Sequence, residues 1–179
     1  KLAAAQLQDQ CKYVSVAGLS MGGVLTLLLA EQMHITAAAP ISAPMAVQNK
    51  AMPFARIGSL FIKTTYWKGD DARTAMLDQR YDYGYTGFPT RTAADLSKLI
   101  HMARNNLYAV TCPVLAVQSH ADETISADSA EVIVDGVSSQ RKGVLYLEEV
   151  PHVCTISKEH QHIADAIAEL FRAAEADAK

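Results

Sequence analysis

A serine between two glycines, set where a β-branched apolar run meets a long apolar stretch, limits what this chain can become. Residues 13–17, Tyr-Val-Ser-Val-Ala, read as a short buried strand. Gly18-Leu19-Ser20-Met21-Gly22-Gly23 follows as a turn, and residues 24–33 are apolar on every side and long enough for a buried helix. Strand, Gly-x-Ser-x-Gly and helix in direct succession hold a serine hydroxyl above the edge of a sheet on a tight, strained turn. Gly18 and Gly22 answer a spatial demand, because a side chain at either place is expected to collide with the neighbouring strand or helix. The helix beginning just past Ser20 aims unpaired NH groups and the positive end of its dipole at the space where an oxyanion would develop. A plain Gly/Ser turn between packed elements is the competing reading. The strand before, the helix after and the partners downstream favour Ser20 as a nucleophile.

Around this feature, 179 residues with 50% hydrophobic and 20% charged side chains suit one soluble domain with a substantial core. A net charge of -3, with Lys and Arg scattered, offers no basic field, so nucleic acid is not an expected partner. No window reaches the eighteen or so uninterrupted apolar residues of a membrane span, and the first residues do not read as a signal peptide. Cys11, Cys112 and Cys154 fit no metal or disulfide spacing, so reduced, buried thiols and a cytoplasmic location are expected.

Residues 1–10 read as an amphipathic helix through Leu2, Ala5 and Leu7, packed before the elbow strand. A second apolar segment at 35–41 carries Pro40 near its end, where proline is tolerable only at a strand terminus. From 45 to 103 the character changes. Short helical pieces bear Phe54, Ile57, Leu60, Phe61, Tyr66 and Trp67, then comes Tyr81-Asp82-Tyr83-Gly84-Tyr85, with no clean strand. A better helix at 92–107 closes the segment, with Leu96, Leu99, Ile100, Ala103 and Leu107 on one face. Residues 45–103 are read as an inserted helical lid over a core made of 1–44 and 104–179; structural padding over the sheet edge is the alternative. The sheet resumes with a buried parallel strand at 113–118, ending on Gln118. A helix at 126–137 with Ser126 as N-cap, a strand at 143–149 and an amphipathic helix at 159–176 through Ile163, Ile167, Leu170 and Phe171 complete the chain. The class is α/β, a parallel sheet with flanking helices.

A serine hydroxyl is a poor nucleophile until an imidazole accepts its proton, and a carboxylate must hold that imidazole in the right tautomer. Asp122 follows the strand at 113–118 and His152 follows the strand at 143–149, so both share the carboxyl edge of the sheet with Ser20. The order Ser, Asp, His is the order in which a Gly-x-Ser-x-Gly fold supplies them. Glu123 is the competing carboxylate, disfavoured because alternation points it elsewhere, and Asp128 fits better as a first-turn residue of a helix. Of the other histidines, His34 sits at a helix end, His101 within the helix at 92–107, and His120 on the acid loop, where it is placed to line the site. His160 and His162 lie two apart, share no helix face and have no completing ligand, so no metal is expected. Cys154 reads as a buried small hydrophobe near the pocket.

Gly18-Leu19-Ser20-Met21-Gly22-Gly23, the stretch from Gln118 through Asp122-Glu123 and Ile125 to Asp128-Ser129-Ala130, and the His152-Val153 pair resemble the bacterial carboxylesterases related to monoacylglycerol lipases. The likeness covers nearly the whole chain and is thinnest between 48 and 90. It implies an α/β-hydrolase fold in which Ser20 is nucleophile, Asp122 acid and His152 base, with the NH of Met21 as one oxyanion donor. The implied activity is hydrolysis of small-molecule esters of short to medium acyl chains through an acyl-enzyme, without metal or cofactor. A non-catalytic hydrolase-like module that holds a hydrophobic ligand is the alternative, and thioesters and amides stay open as substrates. In the family a second oxyanion donor comes from a His-Gly-containing loop after an early strand, upstream of residue 1. Losing one such donor costs about a hundredfold to a thousandfold in turnover. The four strands at Val14, Thr36, Val114 and Leu145 then leave the elbow strand without a neighbour on one side. A missing N-terminal segment or another copy is expected to cover that edge, and residues 1–179 alone are expected not to fold stably. The surplus apolar surface of Met52, Phe54, Ile57, Leu60, Phe61 and Trp67 should face the cleft above Ser20 and hold the acyl group.

Overall fold

Short apolar runs that alternate with helical ones bury both kinds of element when the runs pair in parallel and the helices cover them. A computed structural model describes residues 1–45, 63–66, 76–78, 80 and 87–178. In chain order the elements are α1 (Leu2–Gln8), β1 (Val16–Leu19), α2 (Met21–Ala30), β2 (Ala38–Ile41), β3 (Thr64–Tyr66), β4 (Gly87–Pro89), α3 (Thr90–Asn106), β5 (Val114–Ser119), α4 (Asp128–Gly136), β6 (Lys142–Leu147) and α5 (His160–Asp177). Strands β1, β2, β5 and β6 form one sheet in that order, every pair parallel.

The period of two along each strand divides the core between the two faces of the sheet. Ala38, Val114 and Ala116 pack with Val24 and Leu27 of α2, Ile100 and Ala103 of α3, and Ala130 and Ile133 of α4. Ile41, Val117 and Leu147 pack with Val150, Cys154 and Ile163 of α5. With helices on both faces, the carboxyl ends of the strands are the open side of the fold, and the loops that leave them are free to carry chemistry.

Several sequence-based boundaries shift. The strand expected at 13–17 runs from Val16 through Leu19, so the turn is confined to Ser20 and the helix starts at once at Met21 rather than at 24. This strand is not buried: β1 is an edge that pairs with β2 alone among the described residues, with Ala17 exposed and its neighbours half-buried. The first helix forms, but Leu2 and Leu7 are exposed and only Ala4 is buried, so the expected apolar face is not the packed one. Pro40 lies inside a central strand, paired with Gly18 of β1. Ala38 and Ser42 donate their NH groups to Pro113 and Val117 on the β5 side, and Pro40, midway between them, has none to give. The ladder to β5 accordingly registers only Ala38 with Val114 and Ile41 with Val117.

Within the expected insertion, β3 and β4 pair antiparallel, a short ladder that corrects the reading of 45–103 as free of strands. α3 begins at Thr90, buries Ala94, Ser97, Ile100 and Ala103, and packs on α2. It therefore crosses the boundary expected at 103. Met52, Phe54, Ile57, Leu60, Phe61, Trp67, residues 81–85 and the side chain of Tyr66 lie outside the described residues. α4 starts at Asp128 with Ala127 as N-cap, two residues later than expected, and the Ser126 hydroxyl receives the Asp128 NH at 3.4 Å from one position further out. Cys154 is buried and Cys112 half-buried, but Cys11 is exposed, against the expectation of three buried thiols; all three are free. Among the described residues no helix is long and apolar enough to cross a membrane.

Candidate active site

Ser20 has φ 55° and ψ -117°, a left-handed conformation that a non-glycine residue adopts only under constraint. The constraint is local. Its NH donates to Ile41 O at 2.8 Å, and its carbonyl accepts the NH groups of Gly23 and Val24 at 2.9 and 3.2 Å, so one residue ends the strand and opens the helix. A Cβ on Gly18 would lie 2.3 Å from Gly22 O and 2.9 Å from Thr26 Oγ1. At Gly22 the expected collision is absent: among the described residues a Cβ there would meet nothing within 4 Å. The second crowded position is Gly23, where a Cβ would lie 2.6 Å from that of Ala43. Met21, the first residue of α2, has an NH with no intrahelical acceptor.

The acid loop leaves β5 and is stitched to the segment before His152. Ser119 Oγ donates to Val150 O at 2.6 Å and accepts the Ala121 NH at 3.1 Å, while the His120 NH donates to Leu147 O at 2.8 Å. Asp122 then stands with its side chain fully buried and surrounded by donors. Its Oδ1 accepts the NH groups of Thr124 and Ile125 at 2.8 and 3.0 Å, and its Oδ2 faces His152 Nδ1 at 2.8 Å and Gln118 Nε2 at 3.2 Å. Burial works to raise the Asp122 carboxyl, but the hydrogen bond and charge of His152, with the two backbone NH groups, outweigh it and hold the group below its ordinary value. An ionised Asp122 only accepts, so Nδ1 of His152 carries the proton that bridges them and Nε2 is left as an acceptor. Ser20 Oγ lies 2.9 Å from that Nε2 and donates to it. Serine, imidazole and carboxylate thus form one continuous hydrogen-bonded chain.

The structure brings Ser20, Met21, Asp122 and His152 to one place, with Gly18 and Gly22 in the turn beneath. Glu123 does point elsewhere than the imidazole, but not out of the site: its carboxylate accepts the backbone NH of His152 at 3.3 Å. His120 does not line the site as expected; its ring stacks on Tyr146 with centroids 4.4 Å apart and faces Glu148 at 3.9 Å. His160 Nδ1 donates to Ser157 O at 2.9 Å and His162 Nδ1 faces Glu159 at 3.3 Å. The described residues contain no group of three metal-ligating side chains. Cys154 is buried with its Sγ 3.8 Å from Ser42 Oγ, and burial pushes its thiol up. Sequence reasoning missed two residues here. Ser42, fully buried with φ 44°, gives no signal in a Ser-Ala-Pro string. Gln118 does give one, as the single amide in an otherwise apolar buried strand.

Residues 2–159 match the family described as "Serine aminopeptidase, S33". The chain is 29% identical over 168 residues to the thermostable monoacylglycerol lipase of Bacillus sp. (strain H-257), covering 92% of this chain and 65% of that protein. It is 28% identical over 161 residues to the carboxylesterase of Bacillus subtilis (strain 168), covering 88% of this chain and 64% of that protein. The chain thus spans a little under two thirds of the length of these relatives. A solved structure described as belonging to LipS and LipT, two metagenome-derived lipolytic enzymes, superposes with a TM-score of 0.84 at 24% identity, over 94% of this chain and 69% of the other. At that identity the likeness is one of fold.

Proposed function

Since this chain belongs to the serine aminopeptidase S33 family and has an α/β-hydrolase fold, we propose that it is a serine hydrolase cleaving carboxylic esters of short to medium acyl chains. The observation that carries the proposal is the unbroken contact from Ser20 Oγ through His152 to Asp122, 2.9 and 2.8 Å. The names of the two Bacillus relatives support an ester as the substrate class.

On this reading Ser20 Oγ attacks the ester carbonyl carbon while His152 Nε2 takes the hydroxyl proton, and the carbonyl electron pair moves onto oxygen. The oxyanion accepts the NH of Met21, at the positive end of α2. Collapse breaks the bond to the alcohol, which leaves with the proton from His152, and the acyl group stays on Ser20. Water then repeats the sequence, giving its proton to His152 and releasing the carboxylic acid. Asp122 remains ionised and holds the tautomer throughout. The insertion between β2 and β5 acts as a lid whose apolar residues receive the acyl chain, so kcat/KM rises with chain length as each buried methylene contributes about 0.8 kcal/mol. The side of β1 that is unpaired among the described residues is where a further strand would add. Free thiols at Cys11, Cys112 and Cys154 support a reducing, cytoplasmic setting.

The test is labelling by a fluorophosphonate probe together with turnover of p-nitrophenyl esters from acetate to octanoate. Labelling that disappears in Ser20→Ala, with turnover lost in parallel, is expected. A folded protein that neither labels nor hydrolyses any ester in the series would overturn the proposal in favour of a hydrolase-like module that only binds. Flat kinetics across the series would remove the role given to the lid.

A further inference from the structure

The acid of this site is held by a side chain in the sheet as well as by its own loop. Gln118, the penultimate residue of β5, is 1% exposed. Its Nε2 lies 3.2 Å from Asp122 Oδ2 and 3.2 Å from Ser119 O. Both neighbours are acceptors, which fixes the amide orientation: turned over, it would set its oxygen against two oxygens. Asp122 Oδ2 therefore accepts two donors, the imidazole NH and the Gln118 amide, while Oδ1 accepts two backbone NH groups.

We propose that Gln118 is a positioning residue for catalysis, fixing Asp122 Oδ2 in line with His152 Nδ1 and setting the charge felt by the imidazole. The proposal rests on the serine-hydrolase reading above. Gln118 makes no hydrogen bond to Ser20 or His152. Its effect passes through Asp122: the amide shares the lone pairs of Oδ2, limits rotation of the carboxylate, and anchors it to the rigid end of β5 rather than to the loop. Among the described residues, the other groups around the imidazole are few. Asp122 faces Nδ1 and Ser20 faces Nε2; Glu123 meets the backbone NH, and the buried Cys154 thiol senses the charge of Asp122. A neutral donor at 118 adds no charge to this set, whereas a carboxylate of the same shape would.

Two variants of the protein separate positioning from mere packing. Gln118→Glu replaces the donor by a carboxylate beside Asp122, which stabilises the imidazolium; the acid limb of kcat/KM is expected to move up by about one pH unit or more. The His152 ring titration followed by NMR should move with it, a readout that needs no turnover. Gln118→Met keeps the bulk and removes the donor; kcat is expected to fall by about tenfold with KM unchanged, since no substrate contact is lost. An unshifted His152 titration in Gln118→Glu, or a wild-type kcat in Gln118→Met, overturns the proposal. If Gln118→Glu does not fold, Gln118→Met decides alone. A wild-type protein without labelling or turnover would instead defeat the hydrolase reading, and the NMR shift would still decide whether Gln118 governs the imidazole.

Discussion

A buried carboxyl group, that of Asp122, and a half-buried one, that of Glu31, are perturbed in opposite directions, so they make opposite contributions to stability as pH changes. Asp122 is held below its ordinary value, so its contribution is fully present above the unfolded carboxylate value of about 3.9 and is lost as pH falls through the lower folded value. Asp122→Asn removes that dependence, and the gap in Tm between it and the parent should narrow as pH drops from 7 toward 3. Glu31, just past α2, is the reverse case. Its Oε1 is buried without a partner among the described residues, and burial pushes the carboxyl up to about 7. The folded form keeps a proton that the unfolded chain releases, so stability falls as pH rises from about 4.5 to 7. Glu31→Gln should raise Tm at pH 8 and leave it nearly unchanged at pH 4. Thermal unfolding of both variants at three or four pH values checks the two signs together; equal slopes with pH would contradict them.

At the scale of elements, the turn at Ser20 is specified by space, and not evenly by its three glycines. Gly18→Ala would force a Cβ into the backbone of Gly22 and Gly23→Ala would press on Ala43, so each should destabilise by about 1–3 kcal/mol in urea unfolding. Gly22→Ala meets no described residue, lies on a helical position and should be neutral or stabilising by up to about 1 kcal/mol. A Gly22 variant as damaged as Gly18→Ala would refute this account. The Gly-x-Ser-x-Gly pattern was legible because strand, serine and helix are contiguous in sequence, and Asp122 and His152 because each follows a strand. The role of Gly23 was hidden, since its crowding comes from Ala43, twenty positions on. Pro40 was misread because a rule about ladder donors cannot say which single NH a central strand can do without. Gln118 was visible as an odd amide but had no assigned partner until β5 placed it four residues before Asp122. The slips at β1 and α2 share one cause: the strand accepts Gly18 and Leu19, and the strain is concentrated on Ser20 alone.

For the whole molecule, alternation of apolar runs and helices was enough to anticipate a four-stranded parallel sheet with the elbow strand at its edge, but the same residues were also read as a buried strand, whereas β1 is half-exposed. That edge marks where any added strand would pair. The site depends on the entire sheet. Ser20 and His152 are bonded across 132 positions of chain, whereas His152 and Asp122 are separated by 30. Parallel pairing brings such distant positions together only after the intervening crossovers have closed, and closing them is slow. On dilution from urea, helical circular dichroism should therefore recover before labelling of Ser20 does, with the Asp122–His152 loop pair formed in between. Simultaneous recovery of all signals would contradict this order. On the proposed reading, a nascent or partly unfolded chain already carries Ser20, Asp122 and His152 while remaining inert, and reactivity is the last property it acquires.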